Sequence, residues 1–145
     1  MSEIEEFRNR FLPRLIEAER ALHQGDIEPR LQLWTRKDPV TLFGAIGMRN
    51  VGWEQVGSTF GWLASTFSNY RSWDMEVLAS DVRGDLAYTA AIERQVTSIN
   101  NGPVEPHVLR VTQVYRREDG DWKVVHRHGD GLTQPPGEVP TPTQN

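Results

Sequence analysis

Cysteine is absent from the 145-residue sequence, which excludes disulfide bonds and thiolate chemistry. Apolar runs long enough to cross a membrane are also absent, and residues 2–6 lack the positive charge and apolar core of a signal peptide. Basic clusters are missing as well, and the formal net charge of −4 argues against a nucleic-acid partner. We therefore expect a cytoplasmic protein that works without a nucleic acid, a membrane or a cofactor.

The length and the apolar content favour one domain. With 145 residues, 37% of them hydrophobic, the chain can build a single core and is too short for two comfortable ones. Periodic apolar patterns end near residue 131, and prolines recur from Pro135 to Pro142. We predict one domain over residues 1–131 and a proline-rich tail over residues 132–145, which we interpret as extended or disordered.

Three segments have apolar residues at three- and four-residue spacing, which is typical of amphipathic helices. The first covers about residues 4–22, with Gly25 as a left-handed cap and Pro13 as the site of a kink or of a later start. The second is a short helix over residues 28–34, and the third runs from residue 53 to about 69. These segments predict three helices before the main sheet.

The rest of the chain has the two-residue period of strands. We predict strands over residues 38–44, 73–82 and 86–99, with a loose glycine loop over residues 44–52 and a β-hairpin over residues 105–131. Helices first and a long antiparallel meander after them indicate an α+β domain with helices on one sheet face.

In the hairpin, Asp119-Gly120 provides the positive φ that the tight turn needs. Strict alternation places the side chains of the second strand on two faces. One face holds Trp122, Val124, His126 and His128, and the other holds Lys123, Val125 and Arg127.

The segment from Arg110 to His128, RVTQVYRREDGDWKVVHRH, resembles the terminal hairpin of the NTF2-like superfamily, in particular its SnoaL-like and ketosteroid-isomerase-like members. It is also similar to the association domain of calcium/calmodulin-dependent kinase II, in which a tryptophan followed by His-x-His closes the sheet. The resemblance covers roughly residues 14–130. It implies a cystatin-like cone, with three N-terminal helices packed on a curved, mainly antiparallel sheet. Because the superfamily includes enzymes and pure assembly modules, it does not imply one activity.

We expect an aromatic pocket on the helix-covered side of this sheet, with a few convergent polar groups. The candidate ligand-binding residues are Trp34, Trp53, Tyr88, Arg110 and Thr112, with His126 and His128 beside them. Because both faces are apolar, the opposite assignment stays open, with Arg127 inside and the histidines at a dimer interface. A buried Arg110 would need Glu93 or an anionic ligand as its partner.

The histidine pair has three interpretations. His126 and His128, or Asp130 beside them, could move protons as acid and base. The two histidines could instead bind a metal with Glu93 or His107, or be hydrogen-bonded framework residues. We favour the framework interpretation and predict no metal site.

The catalytic set of the ketosteroid isomerases is not matched. Aligning residues 21–26 with the corresponding turn of that family puts Ala18 at the position of the tyrosine and Leu42 near the position of the base. Steroid isomerisation by that mechanism is therefore not expected. We predict a domain that binds a small organic ligand, with an anionic one as an option.

Two alternatives stay open. One is an isomerase, cyclase or dehydratase that uses His126, His128 or Asp130, and the other is a non-catalytic dimerisation or assembly module. A homodimer packed sheet to sheet is expected in each case, because residues 86–92 are apolar on both faces and we expect Leu109, Val111 and Tyr115 to add to the face that the helices do not cover.

Overall fold

The N-terminal third of the chain is mainly helical in the computed structural model, which describes residues 1–131. The tail predicted for residues 132–145 lies outside the described residues. The helices are α1 (Glu3–Glu6), α2 (Leu12–Leu22), α3 (Glu28–Leu33) and α4 (Trp53–Thr66). Gly25 has a φ of 94°, as expected for a left-handed residue after α2.

A π-helical turn, Phe7–Phe11, joins α1 to α2. At its end the Leu12 N–H donates to the Phe7 carbonyl, five residues back, and Pro13 follows without an N–H of its own. The proline therefore stands where a widened turn already interrupts the regular ladder, and the apolar face continues through it. Phe7, Phe11, Leu15 and Leu22 on this face are all buried.

Six strands form one sheet in the order β2-β1-β6-β5-β4-β3. The strands are β1 (Thr41–Phe43), β2 (Arg49–Val51), β3 (Phe67–Arg83), β4 (Leu86–Ile99), β5 (Glu105–Glu118) and β6 (Asp121–Gly131). β1 runs parallel to β6, and the other neighbouring pairs are antiparallel. The predicted α+β architecture, with helices on a curved, mainly antiparallel sheet, is confirmed. The loop expected over residues 44–52 is wrong in one part, because β2 forms there and pairs with β1.

The helices cover one face of the sheet, which we call the inner face. We call the opposite face, which the helices do not cover, the outer face. Four aromatic side chains pack together at one end of the inner face. The Phe7 ring lies 5.1 Å from the Tyr115 ring and 5.5 Å from the Trp122 ring, and Phe11 lies 5.3 Å from Tyr115, between ring centroids. These edge-to-face contacts fill the core there, and the cavity described below lies further along the same face.

A β-bulge in β6 decides which side chains face inward. Tyr115 pairs with Val124 and Val114 pairs with His126, so Val125 is an extra residue without a partner on β5. The inward positions therefore change from Trp122 and Val124 to Arg127 and Gly129, all four of which are buried. Strict alternation along β6 is wrong at this point.

On β5 the inward residues are Val111, Gln113 and Tyr115, so Arg110 and Thr112 point to the outer face. The expectation that Leu109, Val111 and Tyr115 add to the uncovered face is wrong as well, because these side chains lie under the helices. No helix within residues 1–131 is long and apolar enough to span a lipid bilayer.

Candidate functional site

A cavity of about 400 Å³ lies between the inner face and helices α2, α3 and α4. Its volume is within the range of small-molecule sites. Most of its wall is apolar. The apolar lining residues are Leu22, Leu42, Ala45, Ile46, Met48, Leu63, Phe67, Ile99, Pro106, Val108 and Leu109.

Two glycines of β6 leave room for this cavity. Gly129 and Gly131 occupy inward positions and line it. A Cβ added to Gly131 would have no heavy atom within 4 Å, and one added to Gly129 would be in ordinary contact with Val111 at 3.5 Å. The volume therefore depends on the absence of two side chains on a strand that otherwise fills its face.

Arg127 forms the deep polar part of the site. Its Nη1 and Nη2 donate to the two carboxylate oxygens of Glu93, both at 2.8 Å, and Nη1 also donates to Gln113 Oε1 at 3.2 Å. Burial acts to lower the pKa of Arg127, but the Glu93 charge outweighs it and raises the pKa above its usual range. Arg127 is therefore a fixed cation whose charge is already compensated.

A second bidentate pair comes from the helices. Arg30 of α3 donates from Nε and Nη2 to the two carboxylate oxygens of Glu19 on α2, both at 2.9 Å. Burial acts to raise the pKa of Glu19, yet the charges of Arg30 and Arg127 outweigh it and hold the pKa below its usual value. Both side chains are almost fully buried and line the cavity.

His23 at the end of α2 also lines the cavity. Its Nδ1 lies 2.7 Å from the Glu19 carbonyl oxygen, which can only accept, so Nδ1 carries the proton and Nε2 keeps its lone pair. The ring stacks on Phe67 with 4.3 Å between centroids. Burial is the main cause that lowers the pKa of His23, so the ring is neutral at pH 7 and can accept a proton.

Three polar atoms of the cavity wall have no hydrogen-bond partner within residues 1–131. They are Arg30 Nη1, Gln95 Oε1 and His107 Nε2. Gln95 and His107 face each other as Cα partners on β4 and β5, and both line the cavity. Because buried polar groups are rarely left unpaired, this wall can take up hydrogen bonds from a ligand.

The expected pocket residues of β5 and β6 lie instead on the outer face. Arg110 donates from Nε and Nη2 to Asp130 at 2.9 and 2.7 Å, and the two side chains are 61% and 47% exposed. With Thr112 and His128 they line a shallow depression of about 280 Å³. The placement of Arg110 and Thr112 on the covered side is thus wrong, because their strand parity points outward. The Arg110 guanidinium, by donating hydrogen bonds, lowers the pKa of Asp130.

His126 also lies on the outer face, where its Nδ1 is 2.6 Å from the Thr41 hydroxyl and its ring packs against Phe43 at 5.3 Å. Partial burial, together with the charge of His128, lowers the pKa of His126. Neither His126 nor His128 reaches the cavity, because the bulge at Val125 turns both outward. The expected Arg110–Glu93 pair is absent too, since Glu93 binds Arg127. In the described part of the chain, no cluster of three or more metal-ligating side chains could hold a metal ion.

The three expected aromatic residues have different positions. Trp34 is 1% exposed and packs against Phe60 at 5.1 Å, so it belongs to the core. Trp53 packs against Phe60 at 6.2 Å, also on the inner side. Tyr88 is 41% exposed on the outer face, and its placement in a covered pocket is wrong.

Glu19, His23 and Arg30 were not predicted as site residues, although the sequence contains a signal for the first two. Glu19 and His23 are four residues apart and fall on the apolar face of α2, beside Leu15 and Leu22. Polar residues at such positions must be paired in a folded protein. The partners themselves, Arg30 and the β-strand residues, come from distant parts of the chain and have no local signal.

The sequence matches the model of the SnoaL-like domain family over residues 15–130. A comparison with curated proteins found no match.

Solved structures with the same fold are numerous, and three illustrate the likeness. An NTF2-like family protein from Streptomyces avermitilis, described as a candidate dehydratase, is 17% identical with a TM-score of 0.75, over 90% of this chain and 99% of that one. A ketosteroid isomerase-like protein from Erwinia carotovora atroseptica is 16% identical with a TM-score of 0.69, over 84% and 93%. A candidate calcium/calmodulin-dependent kinase II association domain from Exiguobacterium sibiricum is 14% identical with a TM-score of 0.71, over 92% and 97%.

At these low identities the solved structures show only that the fold is shared. The family model matches most of the length of this chain. The resemblance inferred from the terminal hairpin is confirmed. The chain belongs to the SnoaL-like domain family and shares the fold of NTF2-like structures.

Proposed function

We propose that the protein binds a small, mainly apolar and uncharged organic molecule in the cavity between its helices and its sheet. The observation that carries this proposal is the cavity itself, about 400 Å³ in volume with a mostly apolar wall and polar groups on part of it.

The charges around the cavity favour a neutral ligand. Arg30 and Arg127 each form a bidentate pair with a buried carboxylate, so no guanidinium is left uncompensated. The anionic ligand expected from the sequence depended on a buried Arg110, which is exposed and paired with Asp130. An anion in this cavity would lose its hydration without a free counter-charge, which costs several kcal/mol or more.

Proton-transfer catalysis is a second candidate, favoured by His23. This ring is neutral, has its Nε2 lone pair free of the Glu19 contact and lines the cavity. An isomerase, cyclase or dehydratase activity would therefore use His23 as its base in preference to His126, His128 or Asp130, which lie outside the cavity. A His23→Gln variant that still binds the ligand but no longer turns it over would support this candidate.

The binding proposal is tested by filling the cavity. Gly131→Phe places a ring where a Cβ meets nothing, and Gly129→Leu adds volume at a buried position. Gly61→Leu is the matched control, since Gly61 also has open space around its Cβ but does not line the cavity.

A thermal-shift screen of neutral organic compounds should give ligands that stabilise the wild type and the Gly61→Leu variant. Saturation at 100 times the Kd corresponds to about 2.7 kcal/mol. Both cavity-filling variants should fold and lose this stabilisation. Retained binding in both variants would refute the proposal, as would a parallel screen of anionic compounds that gives ligands when the neutral screen gives none.

We also propose that the protein forms the homodimer that the sequence predicts. On the outer face, Tyr88, Val114 and His126 are Cα partners across β4, β5 and β6, and Ile92 on the same face is 6% exposed. We propose that a second copy packs on this apolar strip, which would cover the partly exposed Tyr88 and Leu86.

A further inference from the structure

We infer that the bound molecule is a neutral amide, lactam or hydroxy-carbonyl compound, whose donor and acceptor groups pair with Gln95, His107 and Arg30. This inference rests on the proposed binding function and names the chemical class of its ligand.

The Gln95 side chain is the centre of this recognition. It is 6% exposed, it lines the cavity, and no hydrogen bond to its Oε1 is made by any residue from 1 to 131. A primary amide offers an NH₂ donor group and a carbonyl acceptor whichever way it is turned. A ligand must therefore bring a donor and an acceptor together to satisfy it.

His107 extends the same polar patch. As the Cα partner of Gln95 on the neighbouring strand, it has its Cβ about 5 Å from that of Gln95. Its buried Nε2 is also unpaired in the described part of the chain, and this atom can donate or accept according to the tautomer. The two side chains form a strip of hydrogen-bonding groups at the edge of an otherwise apolar wall.

Arg30 brings a donor from the helix side. Glu19 occupies Nε and Nη2, while Nη1 is buried without an acceptor among residues 1–131, and the Arg30 residue lines the same cavity. An N–H on a compensated guanidinium donates strongly to a carbonyl or hydroxyl oxygen and does not require a negative charge. The acceptor of the ligand can therefore be neutral.

A purely apolar ligand would leave these groups desolvated and unpaired. A ligand with acceptors alone would leave Gln95 Oε1 unpaired, since that atom can only accept. Sites with buried hydrogen-bonding groups discriminate strongly against analogues that lack the matching group. The combination of unpaired donor and unpaired acceptor thus selects molecules that have both.

The test uses three bicyclic probes of similar size. 2-Quinolinone has an N–H beside a C=O, N-methyl-2-quinolinone has only the C=O, and naphthalene has neither. The Kd of each is measured by calorimetry or ligand-observed NMR with wild type, Gln95→Leu and the control Gln32→Leu, which makes the same change at an exposed position outside the cavity.

We expect 2-quinolinone to bind the wild type and Gln32→Leu about 10-fold more tightly than N-methyl-2-quinolinone. In Gln95→Leu the Kd values of 2-quinolinone and N-methyl-2-quinolinone should differ by less than about 2-fold. Naphthalene should bind this variant as tightly as it binds the wild type, or more tightly. Should Gln95→Leu fail to fold, Gln95→Met is the second variant, and it should likewise bind 2-quinolinone and N-methyl-2-quinolinone with affinities that differ by less than about 2-fold.

Equal affinities of the three probes for the wild type would overturn this inference and leave the binding proposal standing. Discrimination that survives unchanged in Gln95→Leu would overturn the role of Gln95 in the same way. No binding of any probe to the wild type, with no effect of Gly131→Phe on other compounds found by screening, would overturn the binding proposal itself.

Discussion

At the scale of single residues, the interior of this protein contains two cations and two anions in a domain of modest size. Arg127 with Glu93 and Arg30 with Glu19 each form two parallel hydrogen bonds, the geometry in which a buried guanidinium best recovers its lost hydration. Arg127 also orients Gln113, which donates to the Tyr115 hydroxyl at 2.8 Å. These two ion pairs therefore fix the polar side chains of the cavity wall in one arrangement.

Breaking the Arg127–Glu93 pair from one side should be more harmful than removing it. Arg127→Met and Glu93→Met should each lower the free energy of unfolding by about 3–5 kcal/mol, because each leaves a buried charge without a partner. The double variant should recover most of this loss. Urea unfolding measures all three, and Arg110→Met, at an exposed pair, should leave the midpoint unchanged. Additive losses in the double variant would contradict the coupling.

His23 should make the stability of the protein depend on pH. Burial holds its folded-state pKa below the usual histidine value of about 6.5, so the unfolded chain binds more protons as the pH falls through this value. The free energy of unfolding should therefore decrease from pH 6.5 towards the lower folded-state pKa and be constant above about pH 7.

The His126 pKa is lowered too and contributes with the same sign, so a variant is needed to isolate His23. In His23→Gln the slope between pH 6.5 and pH 5 should be smaller than in the wild type. The charges of Arg30 and Arg127 hold the pKa of Glu19 below its usual value, so its titration lies outside this window. Identical slopes in urea unfolding of the two proteins would show that His23 is not the group responsible.

At the scale of elements, the bulge in β6 has the largest consequence. One unpaired residue, Val125, lets the same strand place Trp122 in the core and Arg127 in the cavity wall, although they are five positions apart. With regular alternation, positions 122 and 127 would be on opposite faces. The site and the core therefore share a strand only because of this irregularity.

Deleting Val125 should consequently leave the face of each side chain unchanged. Without the extra residue, Trp122 and Arg127 are four positions apart, so regular alternation keeps both inward and we expect cooperative thermal unfolding to be retained. Val125→Ala keeps the extra residue and should cost no more than about 1–2 kcal/mol. Circular dichroism melting curves compare both variants with the wild type. Loss of the cooperative transition in the deletion variant, with Val125→Ala unaffected, would contradict the assigned role of the bulge.

At the scale of the whole molecule, the helices of residues 1–131 occupy one face of the sheet and do not cover the other. Residues of β4, β5 and β6 form a continuous outer surface on which Tyr88 and Leu86 are 41% and 53% exposed. Antiparallel sheets with one solvated face normally alternate apolar and polar residues more strictly than β4 does here.

The proposed dimer predicts twice the chain mass of 16.6 kDa in sedimentation equilibrium at micromolar concentration. Val114→Glu, at the middle of the outer face, should shift the protein to the monomer, because a charge would then be buried at the interface. Val104→Glu makes the same change in the β4–β5 connection and should leave the dimer intact. A monomeric wild type would refute the proposed dimer.

The elements and the family could be predicted from local patterns. The three- and four-residue spacing of Phe7, Phe11, Leu15 and Leu22 defines a helix face, and the hairpin turn at Asp119-Gly120 has positive φ at both residues as the sequence predicts. Such features depend on neighbours a few residues apart, which the sequence contains in full. The hairpin motif therefore predicts the fold family from local sequence alone.

The site depended on tertiary structure. Whether His126 or Arg127 faces the cavity is decided by the unpaired Val125, and bulges have no reliable signature in a single strand. The pairs of Arg127 with Glu93 and of Arg30 with Glu19 join residues 34 and 11 positions apart, so only the folded chain selects them. Local periodicity established what each segment becomes, whereas register and the packing of helices on the sheet decided which side chains meet.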